Sequence, residues 1–238
     1  MRSVSELKIK LFADGADKKQ ILQAHTNPLI RGFTTNPTLM RNAGVQNYEA
    51  FAHEVLEVVT DRPISFEVFA DEFCEMERQA HKIARWAENV YVKIPVTNTR
   101  RQSTVDLIHR LAHSAVKVNV TAILTLDQVR VAAAALASGA PSIVSVFAGR
   151  IADTGRDPVP LMAAALELVS PYPSIELLWA SPRELLNIFQ ANDVGCHIIT
   201  ATEAVLGKLN VVGKDLHDYS LETVKMFYTD AAHSGYEL

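Results

Sequence analysis

The sequence predicts an α/β protein, a (β/α)8 TIM barrel occupying residues 1–238 as a single domain, and three observations predict it. Eight short β-branched or apolar runs alternate with longer helical patterns along the chain. Eight such units in about 210 residues match the arithmetic of an eight-stranded barrel. The glycine-rich turn that opens a doubly wound nucleotide-binding sheet is missing, because "FADGAD" holds one glycine where three are expected.

The elements follow in order. "LKIKLFAD" (7–14) reads as the first strand, with Asp17 capping a helix through "KKQILQAH". "IRGFTTN" (30–36) is the second, followed by a helix through "NYEAFAHEVLEVV". "ISFEVFA" (64–70) precedes a long helix over "EMERQAHKIARWA", and "VYVKIPV" (90–96) precedes "TVDLIHRLAHSA". "KVNVTAIL" (117–124) and "PSIVSVFAG" (141–149) lead into "LDQVRVAAAALAS" and "PVPLMAAALELVS". "IELLWAS" (175–181) and "CHIIT" (196–200) complete the set. The tail "LETVKMFYTDAAHSGYEL" reads as an extra helix from about 220 and a loose end. A closed barrel offers it no packing site, so it is a candidate for subunit contacts.

Composition narrows the function. With 48% hydrophobic and 21% charged residues, the 238-residue chain reads as an ordinary globular protein. A net charge of -4 and no Lys/Arg cluster argue against nucleic-acid partners. Cys74 and Cys196 match no metal or redox spacing and are expected as reduced thiols in the cytoplasm. The N-terminal stretch lacks the apolar core of a signal peptide. The longest apolar run is broken by Gly139 and Pro141, so no membrane association is expected.

In a barrel the chemistry sits at the C-terminal ends of the strands, and polar residues there are informative. Asp14 ends strand one, Asn36 strand two; Glu67 and Lys93 lie within strands three and four. Asn119 and Thr121 are two apart on strand five and share a face. Ser145 lies on strand six with Arg150 just beyond, and Ser181 closes strand seven. Bland readings exist for several. Asp14 and Asn36 suit turns or caps, Glu67 a structural salt bridge, and Thr121 a strand by propensity alone. Lys93 is harder to dismiss, since it sits among Val90, Tyr91, Val92, Ile94 and Val96 in a strand buried on both sides.

Burial disfavours an ammonium, and a neutral amine can attack a carbonyl to form a Schiff base. The Schiff base is an electron sink for breaking the adjacent carbon–carbon bond. Asp14 and Glu67 can move the protons this requires, while Asn36, Asn119, Thr121 and Ser145 suit a polyhydroxy chain. "WASPRE" offers Ser181 as an N-cap, Pro182 at the first helical position and Arg183 in the first turn, an arrangement that invites an anion. Arg150 would complete a phosphate clamp, unless Arg183 pairs with Glu184 or another carboxylate. His109 and His113 have a metal-capable spacing but no third ligand, so a solvated helix face is the better reading and no metal is expected.

Taken together, "LFADGAD", "GFTTNPTLM", "FEVFAD", "YVKIPVT", "KVNVTAILT", "SVFAGRIAD" and "WASPRE" resemble, in order, the transaldolase family in its short form, which includes the fructose-6-phosphate aldolases. The resemblance runs from about residue 10 to residue 206. It implies a barrel of the class I aldolase type with Lys93 as Schiff-base lysine and Asp14 as acid/base. Glu67 and Thr121 match the pair that positions a catalytic water. Asn36, Asn119 and Ser145 match residues holding a dihydroxyacetone unit, and Arg150, Ser181 and Arg183 match phosphate-binding positions. Within the family, Glu67 and Phe147 resemble true transaldolases, where the aldolase branch carries glutamine and tyrosine.

The resemblance further implies sugar-phosphate substrates, no cofactor, a setting such as the pentose phosphate pathway, and a homo-oligomer such as a decamer of two pentamers. Two departures stand out. "NTRRQST" replaces the glycine usual after "VKIPVT", placing Arg100 and Arg101 at the mouth or in solvent. The tail also lacks the family's tryptophan after "F-x-x-D". A fructose-6-phosphate or other sugar-phosphate aldolase, and a non-catalytic sugar-phosphate binder on the same fold, are the alternative readings.

Overall fold

Strand propensity and burial on two faces produce eight short parallel strands: β1 (Lys10–Asp14), β2 (Ile30–Thr34), β3 (Ile64–Glu67), β4 (Val90–Pro95), β5 (Val118–Ile123), β6 (Ser142–Val146), β7 (Ile175–Trp179) and β8 (Ile198–Ala201). The structure, a computed structural model, describes residues 2–236. Each strand pairs with the next, and β1 pairs with β8, which closes the (β/α)8 barrel and leaves no sheet edge. The expected strands run longer than the observed ones at one or both ends. The extra residues belong to loops, where backbone groups bond across turns instead of along the ladder.

The outer layer is helical: α1 (Lys18–His25), α2 (Pro37–Asn42), α3 (Tyr48–Leu56), α4 (Phe73–Ala84), α5 (Val105–His113), α6 (Leu126–Leu136), α7 (Ala148–Ala152), α8 (Pro158–Val169), α9 (Leu186–Val194), α10 (Glu203–Leu206) and α11 (Leu216–Ser234). Local chemistry sets several of their ends. Asp17 accepts from the Gln20 amide, as expected, and Thr125 and Gln128 form a reciprocal capping box on α6. In α4, Met76, Ala80 and Ile83 recur at helical spacing and face the sheet buried. Two short helices, α2 and α7, add to the expected set; they have six and five residues, and each lies between a strand end and a longer helix.

Strand alternation sorts the residues into two cores. One set, including Val92, Ile94, Val118 and Val120, is buried between sheet and helices. The other fills the barrel itself: Phe12, Ile143, Leu178, Ala180 and Ile198, with Tyr91 and Phe147 packed against them. Gly32 makes room for this plug, because a Cβ there would lie 2.4 Å from the Phe12 ring. Each such fully buried side chain contributes roughly 1.5–3 kcal/mol, and truncating Leu111 to Ala would cost about 2–5 kcal/mol. Polar residues two positions further along the same strands therefore stand above an apolar floor.

Helix α11 differs from the rest. No residue in it is buried, and Leu216, Val224, Phe227 and Tyr228 are exposed. It begins at Leu216, a few residues before the extra helix expected from about 220; residues 237 and 238 of the loose end lie outside the described residues. Among the described residues no helix is long and apolar enough to cross a membrane.

Candidate active site

Parallel register brings the polar strand ends to one level. Glu67 aligns with Lys93, Lys93 with Asn119, Pro95 with Thr121, and Asp14 with Thr34. Lys93 is only 6% exposed. Its Nζ lies 3.0 Å from Glu67 Oε2 and donates to the Thr35 carbonyl at 2.8 Å. A buried amine thus has both a carboxylate to exchange a proton with and a carbonyl to aim it. The structural salt bridge considered for Glu67 exists, and its partner is Lys93.

Asp14 faces the same space. The Thr34 hydroxyl donates to its Oδ1 at 2.7 Å and shares a 2.6 Å hydrogen bond with the Thr200 hydroxyl. Burial pushes the Asp14 carboxyl above the usual aspartate range; the Lys93 charge and the Thr34 bond oppose this, and Glu67 adds to it. A carboxyl raised in this way holds a proton more readily than a surface aspartate, as a proton-transfer group requires.

Further round the barrel, Asn119 Nδ2 donates to Ser65 Oγ at 3.0 Å, and Ser145 Oγ donates to Asn119 Oδ1 at 2.7 Å. The amide is thereby fixed from both ends. Thr121 Oγ1 is different, being buried with no hydrogen-bond partner among the described residues. A buried unpaired hydroxyl is costly, so its orientation points to a water or substrate group. A bulge supports it. Between Val120 and Ile123 the pairing with β6 slips, and Ala122 adopts a left-handed φ of 61° beside the Thr121 side chain.

The outer end of the space is built from loops. Arg150, on α7, lies over the Phe147 ring at 5.7 Å from its centroid. Ser181, two residues beyond β7, has a φ of 62°, and its carbonyl lies so close to Gly149 that a Cβ on the glycine would sit 1.5 Å from it. Only glycine permits that approach. Arg183 pairs with Asp153, its Nε donating to Oδ1 at 2.8 Å and its Nη2 to Oδ2. This bond holds the Asp153 carboxyl below the usual range and raises the guanidinium.

All eleven candidate residues, Asp14, Asn36, Glu67, Lys93, Asn119, Thr121, Ser145, Phe147, Arg150, Ser181 and Arg183, line one cavity of about 580 Å³. At three of them the local setting decides between the readings. Asn36 is the N-cap of α2, its Oδ1 accepting from the Leu39 amide, so only the rest of its amide is available to a ligand. Ser181 is not an N-cap: α9 begins at Leu186, and the Arg183 and Glu184 amides bond instead to Asn187 Oδ1. The helix-dipole argument for an anion at Arg183 therefore falls, and the alternative of a carboxylate partner for Arg183 is met, by Asp153 rather than by Glu184. Arg100 and Arg101 do not line the cavity; Arg100 pairs with Glu72, and Arg101 is exposed.

The structure also adds residues that sequence reasoning passed over. Thr34, Ser65 and Thr200 look like ordinary strand formers, and only the register shows Thr34 bonded to Asp14, Ser65 to Asn119 and Thr200 to Thr34. Tyr48 reaches from α3, its hydroxyl donating to the Glu67 carbonyl at 2.9 Å and accepting from the Glu67 amide at 2.8 Å. It clamps the backbone that carries the carboxylate. The spaced histidines form a helix face, with His113 Nδ1 2.8 Å from the His109 carbonyl oxygen. Among the described residues no group of three His, Cys, Asp or Glu side chains is placed to hold a metal.

The chain is thus a (β/α)8 barrel with a buried lysine beside the Glu67 carboxylate at its C-terminal mouth, in a cavity that Asp14 also lines. Its fold is shared with 2,3-dimethylmalate lyase, a solved structure with a TM-score of 0.57 at 12% identity over 94% of this chain and 85% of that one. The family model "Transaldolase/Fructose-6-phosphate aldolase" matches residues 11–237. A probable transaldolase of Chelativorans sp. (strain BNC1) is 34% identical over 97% of this chain and 100% of its own length. A probable transaldolase of Methanococcus maripaludis (strain C5 / ATCC BAA-1333) is 32% identical over 90% of this chain and 99% of its own. The chain belongs to the transaldolase/fructose-6-phosphate aldolase family.

Proposed function

We propose that the protein is a transaldolase that moves a dihydroxyacetone unit from a ketose phosphate, fructose 6-phosphate or sedoheptulose 7-phosphate, to an aldose phosphate through a Schiff base on Lys93. One observation carries this reading: the Lys93 amine is buried 3.0 Å from Glu67 in the cavity that also holds the raised carboxyl of Asp14.

Glu67 takes a proton from the Lys93 ammonium, and the neutral amine adds to the C2 ketone of the donor. Loss of water gives the iminium, with Glu67 and the unpartnered Thr121 hydroxyl holding that water. Asp14 then accepts the proton of the C4 hydroxyl, and the C3–C4 electron pair passes into the iminium. The aldose phosphate leaves and an enamine remains on Lys93. The enamine carbon attacks the aldehyde of the acceptor, Asp14 returns its proton to the new alkoxide, and water hydrolyses the iminium to release the product. Asn36, Asn119 and Ser145 hold the dihydroxyacetone hydroxyls, Arg150, Ser181 and Arg183 surround the phosphate, and Phe147 lines the space between. All of these steps use the chain's own side chains.

Glu67 and Phe147 stand where the aldolase branch carries glutamine and tyrosine, which supports transfer over simple aldol cleavage. The family description covers both activities, so the acceptor dependence separates them. Incubation with fructose 6-phosphate alone is expected to give little turnover, and addition of erythrose 4-phosphate to raise it strongly. Turnover indifferent to the acceptor identifies an aldolase. Borohydride reduction with donor present is expected to trap an adduct on Lys93 by mass mapping, and a chain left unmodified rejects the covalent route.

The exposed apolar side chains of α11 support a homo-oligomer in which this helix lies against a neighbouring subunit, a decamer of two pentamers being one such assembly. Sedimentation of the whole chain beside one ending at residue 215 tests this. A cytoplasmic setting in sugar-phosphate metabolism fits the same reading.

A further inference from the structure

The two arginines at the outer end of the cavity reach it from different elements. Arg150 stands on α7, whereas Arg183 stands on the loop between β7 and α9. Asp153, immediately after α7, joins them by receiving two parallel hydrogen bonds from Arg183. The pair is about half exposed, with side-chain accessibilities of 48% and 50%, and ion pairs in such a setting add little to stability.

Direction is what the pair supplies. A guanidinium is a rigid plane with five N–H donors, and a two-point bond on one edge leaves the other edge aimed. The backbone beneath is held as well: Asn187 Oδ1 accepts from the Arg183 amide at 2.7 Å, and the Gly149 amide donates to the Ala180 carbonyl at 3.3 Å. Gly149 lets α7 rest directly on the Ser181 carbonyl. Arg150, by contrast, has no carboxylate within 4.0 Å among the described residues; its guanidinium lies over the Phe147 ring, and its charge helps hold the Asp153 carboxyl low from a distance.

We propose that Asp153 is a positioning residue for the anion-binding end of the cavity, holding the Arg183 guanidinium in the direction from which, together with Arg150, it grips the phosphate of a sugar phosphate. The role rests on the sugar-phosphate reading given above. Two effects oppose each other at Asp153. Its negative charge repels a phosphate, but at an exposed site that repulsion is screened by salt and by the arginines. Its two acceptors remove the rotational freedom of a long side chain before substrate arrives, which lowers the entropy cost of binding. Positioning outweighs repulsion.

Four variants test this: Asp153→Ala, Asp153→Asn, Arg183→Ala and the double variant Asp153→Ala/Arg183→Ala. Asp153→Ala is expected to raise KM for fructose 6-phosphate, and Ki for inorganic phosphate as a competitive inhibitor, by about fivefold to tenfold. The kcat is expected to stay near wild type, as is borohydride trapping of Lys93 with dihydroxyacetone, which carries no phosphate. Asp153→Asn, which keeps one acceptor, is expected between the two. The double variant is expected to match Arg183→Ala alone, because Asp153 acts through that arginine. A KM for Asp153→Ala or Asp153→Asn at or below wild type shows that charge, not aim, dominates and overturns the proposal. Additive single effects overturn it too. If Arg183→Ala leaves KM and Ki unchanged, the phosphate reading of this end fails, and the role of Asp153 with it. Loss of trapping with dihydroxyacetone in wild type instead rejects the Schiff-base reading of the opposite end.

Discussion

At the Lys93 end of the cavity the functional side chains stand on strands, over an apolar floor, with hydrogen-bond partners supplied by other strands and strand ends round the barrel. At the Arg150 end they stand on a five-residue helix and an irregular loop, partly exposed, and are organised by an ion pair and one close glycine contact. Groups that must change protonation gain from a dry, fixed setting, because low dielectric magnifies the interactions that shift protons. A group that must only hold a dianion needs charge and direction, which loops can supply while staying wet. The difference in construction therefore follows the division of work proposed for the two ends.

The comparison can be broken at several points. The largest effect is expected for Lys93→Arg, which keeps the positive charge beside Glu67 but cannot supply a neutral amine. Its kcat is expected to fall by roughly 10⁴-fold or more, the scale of losing a covalent nucleophile, with circular dichroism unchanged. Activity near wild type would show that the chemistry is not at the strand-borne end.

Asp14→Asn comes next, with a fall in kcat of about 10²–10⁴-fold for a lost acid/base group. Stability is expected to move the other way. Because burial raises the Asp14 carboxyl, the folded state binds more protons than the unfolded chain between the ordinary aspartate value and the raised one. The contribution of this group to stability is thus fully present below about pH 4 and is lost as pH rises through the folded value. A neutral amide escapes that loss. Thermal melts are expected to show Asp14→Asn gaining on wild type as pH increases and levelling off at a constant lead; a lead that shrinks with pH contradicts the burial argument.

Gly149→Ala probes the loop end, since its methyl would meet the Ser181 carbonyl at 1.5 Å and must push α7 away. Overpacking of this kind costs about 1–3 kcal/mol, read as a lower Tm, and KM for the phosphorylated donor is expected to rise more than kcat falls. The smallest effect is expected for Thr121→Val, which removes a buried hydroxyl without a partner. Denaturant unfolding is expected to show a gain of up to about 1 kcal/mol, while hydrolysis of the Lys93 adduct slows in single-turnover assays.

Much of the Lys93 end was legible in the chain, because strand alternation fixes which face a residue takes. Lys93, Glu67, Asn119 and Thr121 could be phased with their strand ends, and register then carried them to one level. The partners of these residues were not legible. Thr34, Ser65 and Thr200 carry no mark that separates a strand-forming residue from one bonded to Asp14, to Asn119 or, for Thr200, to Thr34. Tyr48 arrives from a helix whose docking no local pattern encodes. At the loop end, "WASPRE" has the composition of a helix start, yet the turn at Ser181 runs on to Asn187 before the backbone amides find an acceptor. Composition favoured a cap there, and the contact with Gly149 overrode it.

The sequence by itself determined the barrel, the order of its elements and the strand ends on which chemistry could stand, because hydrophobic periodicity and strand length are properties of neighbours in the chain. Tertiary structure alone decided that Lys93 meets Glu67 and the Thr35 carbonyl, that Thr121 is left without a partner, and that Arg183 turns to Asp153. Those outcomes depend on register, a bulge and the approach of two backbones, none of which is encoded within any one segment.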